Sequence, residues 1–345
     1  MEKELLFGKT LTELQEICND LDLPKFTAKQ IADWLYKKDI SSIDEMSNLS
    51  KKARAALNER FDYGISAPVS VQESKDGTKK YLFRTPAGKF IEAAFIPERK
   101  RNTLCVSSQV GCKMACTFCM TGRQKFHGNL TAGSIINQLR SIPEWQGITN
   151  IVYMGMGEPM DNLDEVLKSL DILTSDWGMA MSPRRINVST IGVIPAMKRF
   201  LDESQAHLAV SMHSPFEEER AQLMPVEKAY PLKDIIGLIK QYDWHGQRRI
   251  SFEYIIFDGL NHSDRHVKEL KRLLGGLKCR INLIRFHQIP DSELKSSRDA
   301  EVETFTEKLN AAGIRTTIRA SRGQDIDAAC GLLSTKKLQE TTKEN

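Results

Sequence analysis

Short apolar runs that alternate with helical stretches from residue 102 onward constrain the fold of this chain more than any other feature. Seven runs have strand character: TLCVSS, NIVYM, RINVST, HLAVSM, ISFEYIIF, RINLIRF and RTTIRAS. Strands and helices at this spacing are typical of βα units, so the pattern predicts an α/β protein with a parallel, barrel-like sheet. Polar or glycine-containing segments follow the runs. Because the carboxyl ends of parallel strands converge on the active site, we expect functional residues in these segments.

The part of the chain before this region shows two different hydrophobic periods. Residues 1–65 have helical apolar spacing, as in LTELQEICNDLDL and AKQIADWLYKK, which predicts a small helical domain. Residues 66–100 alternate with period two, and the turn signals KDGT and PAGK predict an antiparallel β-meander that serves as a linker or extension. The main α/β domain is expected over residues 101–333, and the polar residues 334–345 are expected to form a flexible tail.

The composition narrows the class of protein. Hydrophobic residues make up 41% and charged residues 27%, as in soluble globular proteins, and no apolar run approaches the about 18 residues that a membrane helix needs. We therefore expect no membrane partner. Seven cysteines are an odd count, which favours a cytoplasmic protein whose thiols serve metal binding or catalysis. A net charge of +4 permits a nucleic-acid partner without demonstrating one.

The segment GCKMACTFCMTG places Cys112, Cys116 and Cys119 in the spacing Cys-x3-Cys-x2-Cys. Three thiolates on one loop can bind a common metal centre, and a structural zinc ion would need a fourth ligand, for which His127 is the nearest candidate. A [4Fe-4S] cluster held by three thiolates keeps one iron open. The spacing resembles that of the radical S-adenosylmethionine (SAM) superfamily, in which the amino-acid end of SAM is the fourth ligand.

Four motifs extend the resemblance to a narrower family. The segments CVSSQVGCKMACTFCMTG, GMGEPMDN, RRINVSTIGV and RGQDIDAACG, in this order, are similar to those of the RlmN group of RNA adenine-C2 methyltransferases. The similarity runs from the N-terminal helices to residue 333. It implies a partial (β/α)6 radical-SAM barrel with one [4Fe-4S] cluster, and two molecules of SAM consumed in each turnover.

The turn after the second run of the α/β domain is the first candidate for SAM binding. Gly157 allows the backbone to approach a ligand, and the carboxylate of Glu158 can take the ammonium group of SAM. An isolated serine or histidine at a strand end more often bonds to nearby backbone. At the next strand ends, the resemblance implies further SAM contacts. These are Ser189, Ser211, Met212, His213 and His287, the last at a position where the relatives usually carry asparagine.

Three further residues are candidates for catalysis. Glu92 lies on a strand that is otherwise apolar on both sides, where a carboxylate is costly unless it is used or paired; exposure on an edge strand is the alternative. For Cys105 and Cys330 the alternative to a catalytic role is that each is a small buried residue of the core. The resemblance implies that Glu92 accepts a proton, that Cys330 carries a methyl group and that Cys105 resolves the intermediate through a disulfide bond. Cys18 and Cys279 match no motif and are expected to be structural.

The function implied by the resemblance is methylation of adenosine C2 by way of a methyl-cysteine intermediate. The implied substrates are an adenosine in the peptidyl-transferase region of 23S rRNA and the adenosine beside the anticodon in some tRNAs. An electron donor such as flavodoxin would supply electrons to a cytoplasmic monomer. The segments IPERKRN and MSPRRIN, together with the helical domain, are candidates for phosphate contacts, although a charged run is often only a solvated face.

Two alternatives remain open from the sequence. A Cfr-like enzyme would methylate C8 of the same adenosine; Met120, which follows the last cysteine of the loop, is similar to the C2 enzymes, whereas C8 enzymes carry alanine there. A zinc-stabilised RNA-binding module would have no SAM chemistry at all.

Overall fold

The N-terminal region is mainly helical in the computed structural model, which describes residues 3–326 and 331–343. Its elements are β1 (Glu4–Leu5), α1 (Leu11–Asp20), α2 (Thr27–Lys37), α3 (Lys51–Arg60) and β2 (Phe61–Asp62). Helix α1 begins with a capping box, in which the Thr10 hydroxyl accepts from the Glu13 amide at 3.2 Å and the Glu13 carboxylate accepts from the Thr10 amide at 2.6 Å. The two short strands β1 and β2 pair in parallel, so the start and the end of this region lie together.

In the rest of the chain five strands come first, and the later strands are separated by one or two helices. The strands are β3 (Ser70–Glu73), β4 (Lys79–Arg84), β5 (Phe90–Glu98), β6 (Arg101–Cys105), β7 (Gln109–Val110), β8 (Gly128–Asn129), β9 (Asn150–Tyr153), β10 (Ile186–Thr190), β11 (His207–Ser211), β12 (Ile250–Ile256), β13 (Cys279–Arg285) and β14 (Thr316–Ile318). The helices are α4 (Met120–Arg123), α5 (Ala132–Arg140), α6 (Leu163–Thr174), α7 (Ile194–Glu203), α8 (Glu217–Leu223), α9 (Leu232–Ile239), α10 (Asp264–Leu274), α11 (Asp299–Ala311) and α12 (Leu332–Lys343).

Ten of these strands form one sheet in the order β14-β13-β12-β11-β10-β9-β6-β5-β4-β3. The seven strands from β6 to β14 in this order are parallel, and at least one helix follows each of the first six. The prediction of an α/β protein with a partial (β/α)6 barrel is therefore confirmed, with β14 as an additional short strand. The meander β3-β4-β5 is antiparallel and extends the same sheet, because β5 pairs with β6.

Two apolar cores connect these parts of the molecule. The larger core lies between the sheet and the barrel helices. The smaller core fills the N-terminal region and includes Leu14, Ile31 and Leu57 together with Ile136 of α5 and Ile172 of α6. Shared burial of apolar side chains thus fixes the helical region on the outer face of the barrel. None of the helices in the described ranges has the length and apolar character needed to cross a bilayer.

The C-terminal segment differs from the expectation of a flexible tail after residue 333. Helix α12 runs through this segment, and Ser334 in its first turn is fully buried. The backbone amide of Ser334 donates to the carboxylate of Glu92 on β5 at 2.6 Å. A carboxylate from another element therefore caps the helix, which the polar composition of the tail does not reveal.

Candidate cofactor and active site

A cavity of about 350 Å³ lies at the carboxyl ends of the parallel strands. It brings together nine of the ten residues that the sequence predicted for metal and SAM binding: Cys112, Cys116, Cys119, Gly157, Glu158, Ser189, Ser211, His213 and His287. The tenth residue, Met212, is fully buried in the larger apolar core and is not among the residues that line the cavity. The predicted SAM and metal positions therefore share one space, with Met212 on the other side of its segment.

The loop with the three cysteines follows β7 and borders this cavity. A backbone hydrogen bond of 3.0 Å from the Thr117 amide to the Leu223 carbonyl attaches the loop to the end of α8. Burial raises the pKa of the Cys112 thiol to about 12 and that of Cys116 well above its usual range. For Cys116 the neighbouring Cys112 and Cys119 add to this shift, because three negative thiolates would repel one another.

A cationic metal centre is the group that stabilises such crowded thiolates, so the residues fit the iron-sulfur cluster that the family resemblance implies. Among the described residues, no three histidine, cysteine, aspartate or glutamate side chains converge closely enough to hold one metal ion. A [4Fe-4S] cluster does not require such convergence, because each thiolate binds a different iron.

The turn at Gly157 and Glu158 is packed tightly against Gln109, the first residue of β7. A Cβ atom at Gly157 would lie 2.5 Å from the Cβ atom of Gln109, and the positive φ of +97° also favours glycine there. The Glu158 carboxylate accepts hydrogen bonds from the Thr190 hydroxyl at 2.5 Å, the Ile191 amide at 3.0 Å and the Met160 amide at 3.1 Å. Burial outweighs these bonds and raises the pKa of Glu158 to about 7. Glu158 therefore ties the ends of β9 and β10 together and changes its charge near neutral pH.

His213 connects the cysteine loop with the strand ends. Its Nδ1 accepts a hydrogen bond from the Ile255 amide at 3.0 Å, which leaves Nε2 as the protonated nitrogen of the neutral ring. Burial lowers the pKa of His213 to about 3, so the ring is neutral at physiological pH. The ring stands edge-on to Phe118 of the cysteine loop, with 4.7 Å between the ring centroids. His213 thus offers a neutral donor beside the cysteine loop.

Glu92 lies on β5, in the interior of the sheet, and is only 2% exposed. The alternative that it is exposed on an edge strand is therefore wrong. Its carboxylate forms an ion pair with Lys80 of β4, with 2.6 Å between Oε2 and Nζ. The backbone amides of Gly331 and Ser334 also donate to it, at 3.0 and 2.6 Å. A buried carboxylate in this position is paired, as the sequence argument required.

Cys105 ends strand β6, where it pairs with Ala94 of β5, two residues beyond Glu92 on the same face. Burial raises the pKa of the Cys105 thiol to about 11, and the positive charges of Arg319 and Lys80 partly oppose this shift. Cys330 lies outside the described residues. Its chain neighbour Gly331 donates to Glu92, so the described contacts bring the segment after Cys330 to the same face of the sheet.

The other cysteines occupy positions away from the cavity. Cys18 is fully buried in the smaller core, and Cys279 packs partly buried against the larger one. Burial raises the pKa of both thiols to about 11. These surroundings agree with the prediction that both residues are structural.

Sequence reasoning missed several polar residues of the cavity. Glu253 of β12 is buried, accepts from the Asn282 side chain at 2.8 Å and lies 3.5 Å from Nη1 of Arg319. A carboxylate in the apolar run ISFEYIIF is the same signal that identified Glu92, and it could have identified Glu253. Arg319 follows β14 and lines the cavity from the last strand.

A buried arginine also holds two of the strand ends. Arg220 is fully buried, forms an ion pair with Glu227, and donates to the carbonyls of Ile191 at 2.7 Å and Ser211 at 3.1 Å. These carbonyls follow or end β10 and β11. Arg220 therefore fixes the spacing of the segments that carry Ser189 and Ser211.

The comparisons with known proteins agree with this geometry. The family model of the radical SAM superfamily matches residues 106–274, which include the three cysteines and the strand ends from β9 to β12. The crystal structure of a radical SAM methyltransferase from Sphaerobacter thermophilus is similar over 95% of this chain and 98% of that chain, with a TM-score of 0.89 and 39% sequence identity. The fold and the three-cysteine cavity thus define a radical SAM protein, and this superfamily implies a [4Fe-4S] cluster and SAM.

Relatives over the whole length give the narrower family. The chain is 56% identical to the probable dual-specificity RNA methyltransferase RlmN of Parabacteroides distasonis over 98% of both chains. It is 42% identical to the dual-specificity RNA methyltransferase RlmN of Syntrophus aciditrophicus over 96% of both. Residues 5–62 match the family model of the ribosomal RNA large subunit methyltransferase N-terminal domain. The chain belongs to the RlmN family of dual-specificity RNA methyltransferases, so the resemblance seen in the sequence is confirmed.

Proposed function

We propose that this enzyme methylates C2 of one adenosine in the peptidyl-transferase region of 23S rRNA and of the adenosine beside the anticodon in some tRNAs. The observation that carries the proposal is the placement of the three cysteines, Gly157 and Glu158 around one cavity, in a chain that is similar to RlmN enzymes along its length. Both RNA sites have to present an unstacked base, which favours loops over duplex.

The cofactors would supply the reactive species, and the chain supplies placement. When bound, the [4Fe-4S] cluster and two molecules of SAM provide an electron, a methyl group and a 5′-deoxyadenosyl radical. Cys112, Cys116 and Cys119 hold the cluster. Glu158 binds the ammonium group of SAM, and Ser189, Ser211, Met212, His213 and His287 complete the SAM site. The direct contact we propose for Met212 is through its backbone, because its side chain is in the core.

Methyl transfer and proton transfer are assigned to Cys330, Glu92 and Cys105. Cys330 accepts a methyl group on its sulfur, and the methyl carbon, after losing one hydrogen atom, bonds to C2 of the adenine. The adduct would then lose one electron, for which the bound iron-sulfur cluster would be the acceptor, and the C2 proton, which Glu92 accepts. The Cys105 thiolate attacks the sulfur of Cys330, so that a disulfide bond forms, the sulfur-carbon bond breaks and the released carbon takes up a proton. Reduction of the disulfide restores both thiols.

The helical region of residues 1–65 and the basic segments at residues 96–102 and 181–187 contact RNA phosphates. Residues 66–100 extend the sheet of the catalytic domain, residues 101–333. The enzyme works in the cytoplasm as a monomer and receives electrons from a donor such as flavodoxin.

Analysis of the product nucleoside tests the proposal directly. We expect reconstituted enzyme given SAM, a reductant and unmodified 23S rRNA or tRNA to yield 2-methyladenosine after digestion of the RNA to nucleosides. 8-Methyladenosine would instead assign the enzyme to the Cfr-like class. Unmodified RNA from protein that binds zinc and no iron would support the zinc-stabilised RNA-binding module. Both results contradict the proposal.

A change of Glu158 to glutamine tests the SAM site. Glutamine retains the size of the side chain and its carbonyl acceptor, but it lacks the charge that attracts the ammonium group. Loss of one charged hydrogen bond predicts SAM binding weaker by about tenfold to a hundredfold. Equilibrium dialysis under anaerobic conditions measures this affinity. Iron content should stay unchanged, and Glu144→Gln, which removes a carboxylate that is bonded to Tyr81 and does not line the cavity, should bind SAM normally.

The pH dependence of the same affinity follows from the pKa of Glu158, which burial raises to about 7. Below this pKa the side chain is protonated and neutral, so SAM affinity of the native enzyme should rise between about pH 5.5 and pH 7.5. The neighbouring carboxylate of Asp161 adds to the rise in the pKa of Glu158 and keeps the transition at the high end of this range. Glu158→Gln should lose the rise. An unchanged profile in this variant would place the ammonium subsite elsewhere.

A further inference from the structure

The ion pair between Lys80 and Glu92 is buried on both sides. The side chains are 3% and 2% exposed, and Nζ lies 2.6 Å from Oε2. Strand β4 carries Lys80 opposite Ala94 of β5, so the lysine reaches Glu92 diagonally across the two strands. Burial of two charges is costly, and a well-packed apolar pair would be about as stable. Stability alone therefore does not account for a lysine at this position.

The other bonds of Glu92 define the orientation of its carboxylate. Oε2 accepts from Lys80 and from the Gly331 amide, and Oε1 accepts from the Ser334 amide. A carboxylate has about four acceptor positions, so donors among the described residues occupy three of them. The fourth position is on Oε1. The partial positive charge at the start of α12 and the ammonium of Lys80 lie on the sides that are already occupied.

This arrangement also extends to Cys105. Lys80 and Glu92 both act on the pKa of the Cys105 thiol, the former lowering and the latter raising it, so the pair is close to the thiol proposed to act last. The positive charge of Arg319 also acts on this thiol. The carboxylate, the lysine and the thiol therefore occupy one face of the sheet, formed by β4, β5 and β6.

We propose that Lys80 is a positioning residue for the transfer of the C2 proton. This inference rests on the proposed function, in which Glu92 accepts that proton. Lys80 and the two amides of the C-terminal helix hold the carboxylate so that the remaining acceptor position of Oε1 receives the proton. In this step the C2–H bond breaks, its electron pair stays in the adenine ring, and the proton bonds to Oε1. Without Lys80 the carboxylate loses one of its three restraints and turns away from this orientation.

The test compares Lys80→Met with Lys79→Met. Methionine retains most of the apolar stem of lysine, and Lys79 is the neighbouring lysine on the opposite face, where it pairs with Glu73 and Glu144. Proton transfer to a positioned base contributes about 10²- to 10⁴-fold, so loss of positioning should slow product formation by about 10²-fold in Lys80→Met. The covalent protein-RNA adduct should accumulate although Cys105 is intact. Lys79→Met should behave as the native enzyme.

An isotope effect separates positioning from a general structural defect. RNA that carries deuterium at C2 of the target adenosine should react more slowly than normal RNA in Lys80→Met, because proton transfer has become rate-limiting. Iron content and methylation of the enzyme by SAM should be unchanged. Lys80→Arg retains a charged donor and should recover part of the rate. If Lys80→Met fails to fold, Lys80→Gln, which retains a neutral donor, takes its place in the comparison with Lys79→Met.

Two results overturn the inference in distinguishable ways. A native rate in Lys80→Met, or a slow rate with neither adduct nor isotope effect, overturns the positioning role alone. Native enzyme that forms no 2-methyladenosine overturns the proposed function and this inference with it.

Discussion

Replacement of Cys116 by alanine should remove nearly all iron and sulfide from anaerobically reconstituted protein, together with its brown colour. Cys116 is the most enclosed of the three loop thiols, with 8% exposure, and the other two raise its pKa by their proximity. The three thiolates are mutually repulsive unless a cationic centre compensates them. Two remaining ligands cannot hold the cluster against loss to solvent, so the effect should be almost complete and not graded.

Cys18→Ala is the matched control for this change. Cys18 is also buried and also has a raised pKa, but it lies in the core of the helical region. This variant should retain its iron, although the smaller side chain should destabilise the fold by about 1 kcal/mol. Metal analysis and absorbance spectra of the two variants give the answer. A brown Cys116→Ala protein, or native protein with one zinc ion and no iron, would contradict a cluster held by this loop.

The sequence was sufficient to predict the cavity, because its residues occupy equivalent places in successive βα units. Parallel strands bring their carboxyl ends to one edge of the sheet, so polar residues after each strand meet without any knowledge of long-range contacts. Met212 is the exception among the predicted residues at the strand ends. Neighbouring side chains at a strand end point to opposite sides, so Ser211 and His213 line the cavity while Met212 enters the core.

Pairings between distant elements were not predictable in the same way. The bond between Glu92 and the Ser334 amide joins residues separated by 242 positions, and no local pattern in either segment specifies it. The same contact explains why residues expected to be a flexible tail form a buried helical turn. The carboxylate that caps the start of this polar helix belongs to β5. Lys80 was missed for the same reason, since in sequence it is one of two adjacent lysines on a short strand.

The second large effect concerns Cys105, whose replacement by alanine should stop the reaction after RNA has become attached to the enzyme. Burial keeps the Cys105 thiol protonated in the resting enzyme, with a pKa of about 11. In the proposed sequence its thiolate is needed only to break the bond between the Cys330 sulfur and the methyl-derived carbon. Cys105→Ala should therefore lower product release by at least about 10³-fold, since a nucleophile is lost. Denaturing gel electrophoresis should show a covalent protein-RNA species.

Cys330→Ala should be equally inactive, because an earlier step of the reaction fails. Its sulfur is proposed to carry the methyl group, so this variant should bind the cluster and SAM and yet form no adduct. The double variant, which carries both Cys105→Ala and Cys330→Ala, should resemble Cys330→Ala. Without the methyl-bearing sulfur no adduct forms, so the loss of Cys105 has no further effect. Mass spectrometry of the native enzyme after incubation with SAM should find a single methylated cysteine at position 330.

The positions of Cys18 and Cys279 make it possible to test this order of events by mapping the methyl group. Cys279 begins β13 and so lies at the end of the sheet away from the cavity, and Cys18 is enclosed in the helical region. Neither thiol can reach an adenine that is presented at the carboxyl ends of the strands. A methyl group mapped to Cys279 or Cys18, or an adduct that persists in the double variant, would exclude the division of labour between Cys330 and Cys105. An adduct in Cys105→Ala that is absent from both variants lacking Cys330 would establish that methyl transfer to the enzyme precedes attachment of RNA.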